Sequence, residues 1–257
     1  MTLLTFSLLF VAALFEDQPV LVDISETRPN IRTLPSAPKR VIAHDDDQDE
    51  KQAAQDAKQA TSITIFTSTG EHIIAGTNKG WLNVIDTKTC QIIYSTKLCN
   101  GILVYLRLTL SGRDMVSNSS DRIVRTIHIP DLSKPDLDPD SINIEVEHKF
   151  QDVVNRLSWN HVAFNCTGEY VSASTYMNHD IYVWERNLGS LVKILEGPKE
   201  ELGVLEVSFS ADVRCYTDLV VASESTLCCS LWYRYRSYLF VVNHRSTEVV
   251  CIGSRFR

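Results

Sequence analysis

Apolar residues in this chain fall into short runs, with turns rich in glycine, asparagine and aspartate between them. Short apolar runs bounded by such turns are typical of β-strands, and no long stretch has the spacing of an amphipathic helix. The clearest series predicts four strands, at Ser62–Phe66, His72–Ala75, Trp81–Ile85 and Gln91–Ser95. The hydrophobic pattern therefore predicts an all-β protein.

Strands are also predicted on both sides of this series. They lie at Phe10–Leu14, Val20–Ile24, Val41–Ala43, Leu103–Leu110, Met115–Asn118, Arg122–Ile129, Ile142–Phe150, Arg156–Phe164, Tyr170–Ser174, Ile181–Trp184 and Leu191–Leu195. Two polar segments interrupt them. Residues 44–60 contain an acidic run and predict an exposed loop, and residues 130–141 predict a loop rich in proline and aspartate.

Three of these segments resemble one another. Starting at Ser68, Leu110 and Cys166, each has a turn that ends in glycine, a short strand that ends in small residues, a polar turn and a second apolar strand. A repeat of about 40–45 residues with four strands is typical of WD40-type β-propellers, in which a blade buries its faces against neighbouring blades. Trp184-Glu185 stands where this repeat has its Trp-Asp pair.

The repeat predicts a partial WD40-type β-propeller over residues 1–210. Closed propellers have roughly 4–8 blades, and seven blades of this period would need about 300 residues. The chain has three full sets of strands and a partial one before residue 44, so we expect an incomplete propeller. Residues 211–257 match neither this repeat nor another pattern, and they stay unassigned.

Composition adds limits on the function. The net charge of -7 argues against a protein that mainly coats nucleic acid, although an acidic run at 45–50 supplies much of the excess. The seven cysteines lack the spacing of zinc sites, and Cys90, Cys99 and Cys166 lie in or beside apolar runs, so we expect reduced, buried thiols. No basic residue precedes the apolar stretch Leu3–Leu14, which is too short to cross a bilayer, so we expect a buried strand there rather than a signal peptide or a membrane segment.

Motifs for catalysis or cofactor binding are missing from the sequence. It contains no phosphate-binding glycine loop, no HExxH metal motif and no GxSxG turn, so we predict no catalytic, cofactor-binding or metal site. The histidines are scattered singly, and we expect the adjacent His179 and Asp180 to serve structure. Trp81, Trp159 and Trp184 are expected in the core. Because catalytic triads form in space, a secreted all-β hydrolase with oxidised cysteines stays an open alternative.

A more specific resemblance begins at residue 150. The segments FQDVVNRLSW at 150–159 and TGEYVSASTYMNHDIYVWERNLGSLVKILEG at 167–197 resemble the retinoblastoma-binding-protein-5 family, whose fungal members are subunits of COMPASS-type complexes. The segments GEHIIAGTNKGWLNVID at 70–86 and SSDRIVRTIHI at 119–129 are similar to the two preceding blades of that family. The resemblance covers about residues 8–210.

This resemblance implies a seven-bladed propeller in the nucleus, of which this chain supplies about four blades. It further implies that the protein catalyses no reaction and takes no small-molecule substrate or cofactor. Within the complex, the family member positions a SET-domain methyltransferase, a SPRY-domain subunit and a second WD-repeat subunit. The complex methylates the lysine at the fourth position of the histone H3 tail. A WD-repeat adaptor in an unrelated multiprotein complex is the alternative.

The resemblance also implies contacts with the nucleosome. Family members use loop arginines to touch DNA phosphates, and Arg122, Arg156 and Lys199 match positions of this basic patch. Lys199 stands where family members can have arginine, and a further basic position of the family falls on Met177. We therefore expect Arg122, Arg156 and Lys199 as candidate contacts to nucleosomal DNA.

The resemblance further predicts that the sequence is a fragment. About three blades of the family propeller have no counterpart before Met1, and after Ala211 the expected final strands are replaced by the unassigned tail. A truncated or mis-spliced gene model is the hypothesis for this difference.

Overall fold

A computed structural model of the chain describes residues 2–3, 8–14, 17–39, 58–109, 111–132, 142–165, 167–176 and 180–196, and the backbone of four strands between residues 205 and 253. Every regular element in these residues is a β-strand, and the strands form five four-stranded sheets. The all-β prediction is therefore confirmed. No helix in the described ranges is long and apolar enough to cross a membrane.

Each sheet takes four strands that follow one another in the sequence, as the repeat predicts. The first contains β1 (Thr2–Leu3), β2 (Leu9–Ala12), β3 (Val20–Asp23) and β4 (Asn30–Thr33). The second contains β5 (Thr61–Phe66), β6 (His72–Thr77), β7 (Trp81–Asp86) and β8 (Ile92–Lys97). The third contains β9 (Leu103–Leu108), β10 (Asp114–Ser119), β11 (Val124–His128) and β12 (Glu145–Phe150). The fourth contains β13 (Trp159–Phe164), β14 (Tyr170–Thr175), β15 (Ile181–Glu185) and β16 (Ser190–Leu195).

Neighbouring strands in the first, second and fourth sheets are antiparallel, as they are in a meandering blade. Tight turns make this connection possible. In the turn between β6 and β7, Gly80 has a φ of 79°, and a Cβ atom at this position would collide with the carbonyl group of Cys99. Only glycine therefore fits this turn without moving the backbone of the segment that follows β8.

A fifth sheet contains β17 (Leu205–Phe209), β18 (Leu219–Ser223), β19 (Tyr238–Val242) and β20 (Val249–Gly253). Three of its strands lie in the tail that the sequence left unassigned. The pair β18 and β19 is parallel, whereas the two outer pairs of this sheet are antiparallel. Parallel neighbours need a crossover connection, so this sheet departs from the meander of a WD40 blade.

The N-terminal part differs from the predicted pattern in three places. The apolar stretch Leu3–Leu14 contains parts of two strands rather than one, since β1 and β2 pair with each other. The polar strand β4 was not predicted, and the predicted strand Val41–Ala43 lies outside the described residues. Gln59, at the end of the predicted exposed loop, is buried and accepts a hydrogen bond of 2.8 Å from the hydroxyl group of Thr77.

The chain divides into two compact units, residues 1–121 with 127–146 and residues 122–126 with 147–257. The first unit contains two clusters of buried apolar side chains, one around Ile74, Leu82 and Met115 and one around Leu21 and Ile73. Cys99 lies in the former cluster and Cys90 in the latter, and both are buried free thiols, as predicted. Cys166 lies outside the described residues.

Candidate nucleic-acid interface

Two of the three predicted DNA-contacting residues come together in the second unit. Arg122 lies in the turn between β10 and β11, and Arg156 lies in the loop between β12 and β13. Both are exposed, and the Nη1 atom of Arg122 donates a hydrogen bond of 3.1 Å to the carbonyl oxygen of Arg156. Lys199 and Met177 lie outside the described residues, so the structure brings together Arg122 and Arg156.

The loop that carries Arg156 is built around the carboxylate of Asp152. Its Oδ1 atom accepts hydrogen bonds from the backbone N–H groups of Val154 and Asn155, at 3.0 and 2.7 Å. Its Oδ2 atom accepts bonds from the Asn155 amide at 3.0 Å and from the Tyr182 hydroxyl group at 3.2 Å. The backbone N–H of Arg156 closes the turn on the carbonyl oxygen of Asp152 at 3.1 Å. Four donors therefore hold one side chain, which fixes the loop locally.

These hydrogen bonds also set the charge states of the pair. The bond from the backbone N–H of Asn155 is the largest influence and lowers the pKa of Asp152, so its carboxylate is ionised at neutral pH. Burial raises the pKa of Tyr182, and the bond to Asp152 adds to this effect, so the phenol keeps its proton and donates it.

Both arginines have a left-handed backbone conformation. The φ angle is 68° at Arg122 and 49° at Arg156, and Cys90 is the one other described non-glycine residue with a positive φ. This conformation costs a residue other than glycine on the order of 1 kcal/mol, so surrounding contacts must hold it. For Arg122 such a contact is visible, because the indole Nε1–H of Trp159 donates to its carbonyl oxygen at 3.0 Å.

Trp159 belongs to a buried aromatic cluster beneath these loops. Its ring packs edge-on against Tyr182 at 5.1 Å and against Trp184 at 5.3 Å, and Phe150 lies 5.2 Å from Trp184. Trp159 and Trp184 are in the core, as the sequence predicts. Trp81 differs, since it is partly exposed.

The chemistry available at this site is the binding of anions. Guanidinium groups present several N–H donors that match the oxygens of a phosphate, and two of these groups are exposed here. Within the described ranges no group of three or more His, Cys, Asp or Glu residues is placed to hold a metal ion. His179 lies outside the described residues, and the backbone N–H of Asp180 donates to the Thr175 hydroxyl group at 2.9 Å.

Sequence reasoning found the two arginines by resemblance but missed the residues that support them. A local signal for the Asp152 turn exists, because an aspartate that precedes Asn155 by three positions is typical of a side-chain-capped turn. Tyr182 and Trp159 carry no such signal. Their hydrogen bonds span 30 and 37 positions of the sequence.

The repeated four-stranded sheets and their turns define a WD-repeat protein of the β-propeller class. No family model matches the chain. A solved structure, the β-propeller domain of Cps50 (Swd1) from Myceliophteria thermophila, matches 96% of this chain and 67% of its own length, with 47% identity and a TM-score of 0.75. The fold is therefore a partial WD40-type β-propeller.

Sequence relatives identify the family. The Set1 complex component swd1 of Schizosaccharomyces pombe is 45% identical over 194 residues, and the retinoblastoma-binding protein 5 homolog of Drosophila melanogaster is 31% identical over 145 residues. The chain belongs to the Swd1 and retinoblastoma-binding protein 5 family. The matched regions span 45% and 29% of the length of these two relatives.

Proposed function

We propose that this protein is a scaffold subunit of a COMPASS-type complex that methylates histone H3 in the nucleus. The observation that carries this proposal is the 47% identity to the Swd1 propeller domain across 96% of the chain. The name of the fission yeast relative, a component of the Set1 complex, supports the same assignment.

In this role the protein is non-catalytic. It holds a SET-domain methyltransferase, a SPRY-domain subunit and a second WD-repeat subunit, and the proposed methylation of the fourth lysine of histone H3 takes place on the SET-domain subunit. The blades of a propeller suit this task, because a fold of repeated sheets presents several loops at once.

The protein further orients the complex on the nucleosome, with Arg122, Arg156 and Lys199 as contacts to DNA phosphates. Phosphate contacts carry no sequence information and fix the position of a protein on the duplex, which is what a subunit acting on many genes requires. Arg122 and Arg156 are both exposed, and the Arg122 guanidinium donates a hydrogen bond to the backbone carbonyl of Arg156, which supports this part of the proposal.

Affinity purification of the endogenous full-length gene product from nuclear extract tests the proposal. Mass spectrometry should identify a SET-domain methyltransferase together with SPRY-domain and WD-repeat partners. A different, stable set of partners would instead support a WD-repeat adaptor in an unrelated complex. A cleaved N-terminus with oxidised cysteines would point to a secreted protein and would contradict the proposal.

A further inference from the structure

We infer that Asp152, Tyr182 and Trp159 are positioning residues that present Arg122 and Arg156 to DNA phosphates as one preformed pair. This inference rests on the DNA contact in the proposed function. None of the three residues needs to touch DNA itself, because each acts through the backbone that carries an arginine.

The first support fixes the loop of Arg156. Asp152 gathers the backbone N–H groups of Val154 and Asn155, and the backbone N–H of Arg156 bonds to the carbonyl of Asp152. Tyr182 then ties this carboxylate to β15 through its hydroxyl group, at 3.2 Å. A loop that is otherwise exposed is thereby attached to a strand of the fourth sheet.

The second support fixes the turn of Arg122. The indole N–H of Trp159 donates to the carbonyl oxygen of Arg122 at 3.0 Å. This bond supports the backbone of Arg122, whose φ angle is 68°. Trp159 is 6% exposed and starts β13, so the donor belongs to a buried side chain at the end of a strand.

The two supports meet in the core. The rings of Trp159 and Tyr182 pack edge to face with their centres 5.1 Å apart. Together with the bond from Arg122 Nη1 to the Arg156 carbonyl, these contacts form a closed ring of five residues. Hydrogen bonds join Arg122 to Arg156, Arg156 to Asp152, Asp152 to Tyr182 and Trp159 to Arg122, and the ring contact joins Tyr182 to Trp159. Displacement of one member of a closed ring strains the others, so the two arginines are held as a unit.

The charges in this ring are arranged to leave the guanidinium groups available. Asp152 is the acidic residue of the loop at 151–158, and both of its oxygens accept bonds from other donors. In the part of the chain that the structure describes, no ion pair with a carboxylate engages Arg122 or Arg156. Two preformed cations therefore face solvent, which lowers the ordering cost of binding a polyanion.

The test measures DNA binding by Asp152→Ala, Tyr182→Phe and Trp159→Phe variants of the full-length protein. The probe is a short random-sequence DNA duplex, followed by fluorescence anisotropy at several salt concentrations. Each variant should bind about 3- to 10-fold more weakly, since an arginine that must be ordered on binding adds a cost of that size. Asp152→Asn keeps one acceptor for the backbone N–H groups and should recover part of the loss.

A comparison in two backgrounds separates positioning from general damage. In a background that carries both Arg122→Ala and Arg156→Ala, Asp152→Ala should cause no further loss, because it acts through these two arginines. Asp86→Ala is the matched control: Asp86 caps the turn between β7 and β8 by accepting from the N–H of Thr89 at 2.6 Å, and it should destabilise without affecting DNA binding. Tyr182→Phe keeps the packed aromatic ring and removes only the hydroxyl group that bonds to Asp152. It therefore tests the same support even if the Asp152→Ala variant does not fold.

The outcomes distinguish the two proposals. Unchanged binding by Arg122→Ala and Arg156→Ala would contradict the DNA contact in the proposed function. Weaker binding by those variants, with wild-type binding by Asp152→Ala, Tyr182→Phe and Trp159→Phe, would overturn the positioning inference alone. An equal loss from Asp152→Ala in the presence and in the absence of the two arginine side chains would also overturn it.

Discussion

Replacement of Arg122 and Arg156 together by alanine tests the proposed DNA interface most directly. Both guanidinium groups are exposed, so the double variant should fold normally. Each phosphate contact releases bound counterions and contributes about -0.9 to the slope of log affinity against log salt concentration. Loss of both contacts should therefore make this slope shallower by about 1.8.

The magnitude is large enough to measure. Over a rise from about 50 to about 200 mM salt, one contact corresponds to about 3.5-fold in affinity and two contacts to about 12-fold. The wild-type protein should thus lose about 12-fold more affinity over this range than the double variant. Anisotropy titrations with a short DNA duplex measure this difference. Each single variant should change the slope by about 0.9, which corresponds to about 3.5-fold in affinity over this range.

A control of equal charge excludes a general electrostatic effect. Arg113 and Lys88 are exposed residues of the turns that precede β10 and β8, and their joint replacement by alanine also removes two positive charges. This control should keep the wild-type slope. Equal slopes for the two double variants would show that Arg122 and Arg156 make no specific phosphate contact, and the interface would have to lie elsewhere.

Three further predictions concern stability. Asn83 is fully buried, donates to the Ser36 carbonyl at 3.0 Å and accepts from the Ser95 hydroxyl group at 2.8 Å, so Asn83→Ala should cost about 1–3 kcal/mol in urea unfolding; a smaller loss than that of the exposed Asn143→Ala would contradict this. Burial lowers the pKa of His72, so the folded state takes up its proton less readily than the unfolded state does, and stability should fall as the pH drops below the ordinary value of 6.5. His72→Gln should weaken the dependence of the unfolding free energy on pH below 6.5. An unchanged dependence in this variant would show that His72 is not its cause. Arg156→Gly relieves the left-handed backbone at a φ of 49°, so it should lower stability no more than Arg156→Ala while weakening DNA binding equally.

Local sequence pattern determined most of the second, third and fourth sheets. Runs such as Trp81–Ile85 are mostly apolar, end at turns and are largely buried, so periodicity alone locates them to within about three residues. The strand β4 was missed because Asn30–Thr33 is polar and largely exposed, and it gains its place by pairing with β3. The parallel pair of β18 and β19 had no local signal either, since parallel neighbours are not joined by a short hairpin turn.

The candidate site shows a different limit. Resemblance pointed to Arg122 and Arg156 as separate positions, but their relation depends on contacts between distant parts of the sequence. Trp159 and Tyr182 lie in apolar strands, where aromatic side chains are expected in the core. Nothing in the sequence of these strands predicts that the polar atoms of the two side chains bond to the loops. The arrangement could be found only once the fold placed Trp159 of β13 and Tyr182 of β15 beside the turns that carry Arg122 and Arg156.

The backbone at the two arginines shows how the fold and the site depend on each other. A left-handed conformation is unfavourable for arginine, so the turn sequences alone oppose the geometry they adopt at Arg122 and Arg156. Other contacts must compensate for this cost. At Arg122 the contact is the tertiary bond from the Trp159 indole, and at Arg156 it is the local turn closed on Asp152. Because a strained segment relaxes first when its supports weaken, damage to the aromatic cluster should reach the arginines before it unfolds the sheet. The stability of this core is therefore a condition for the proposed DNA contact as well as for the fold.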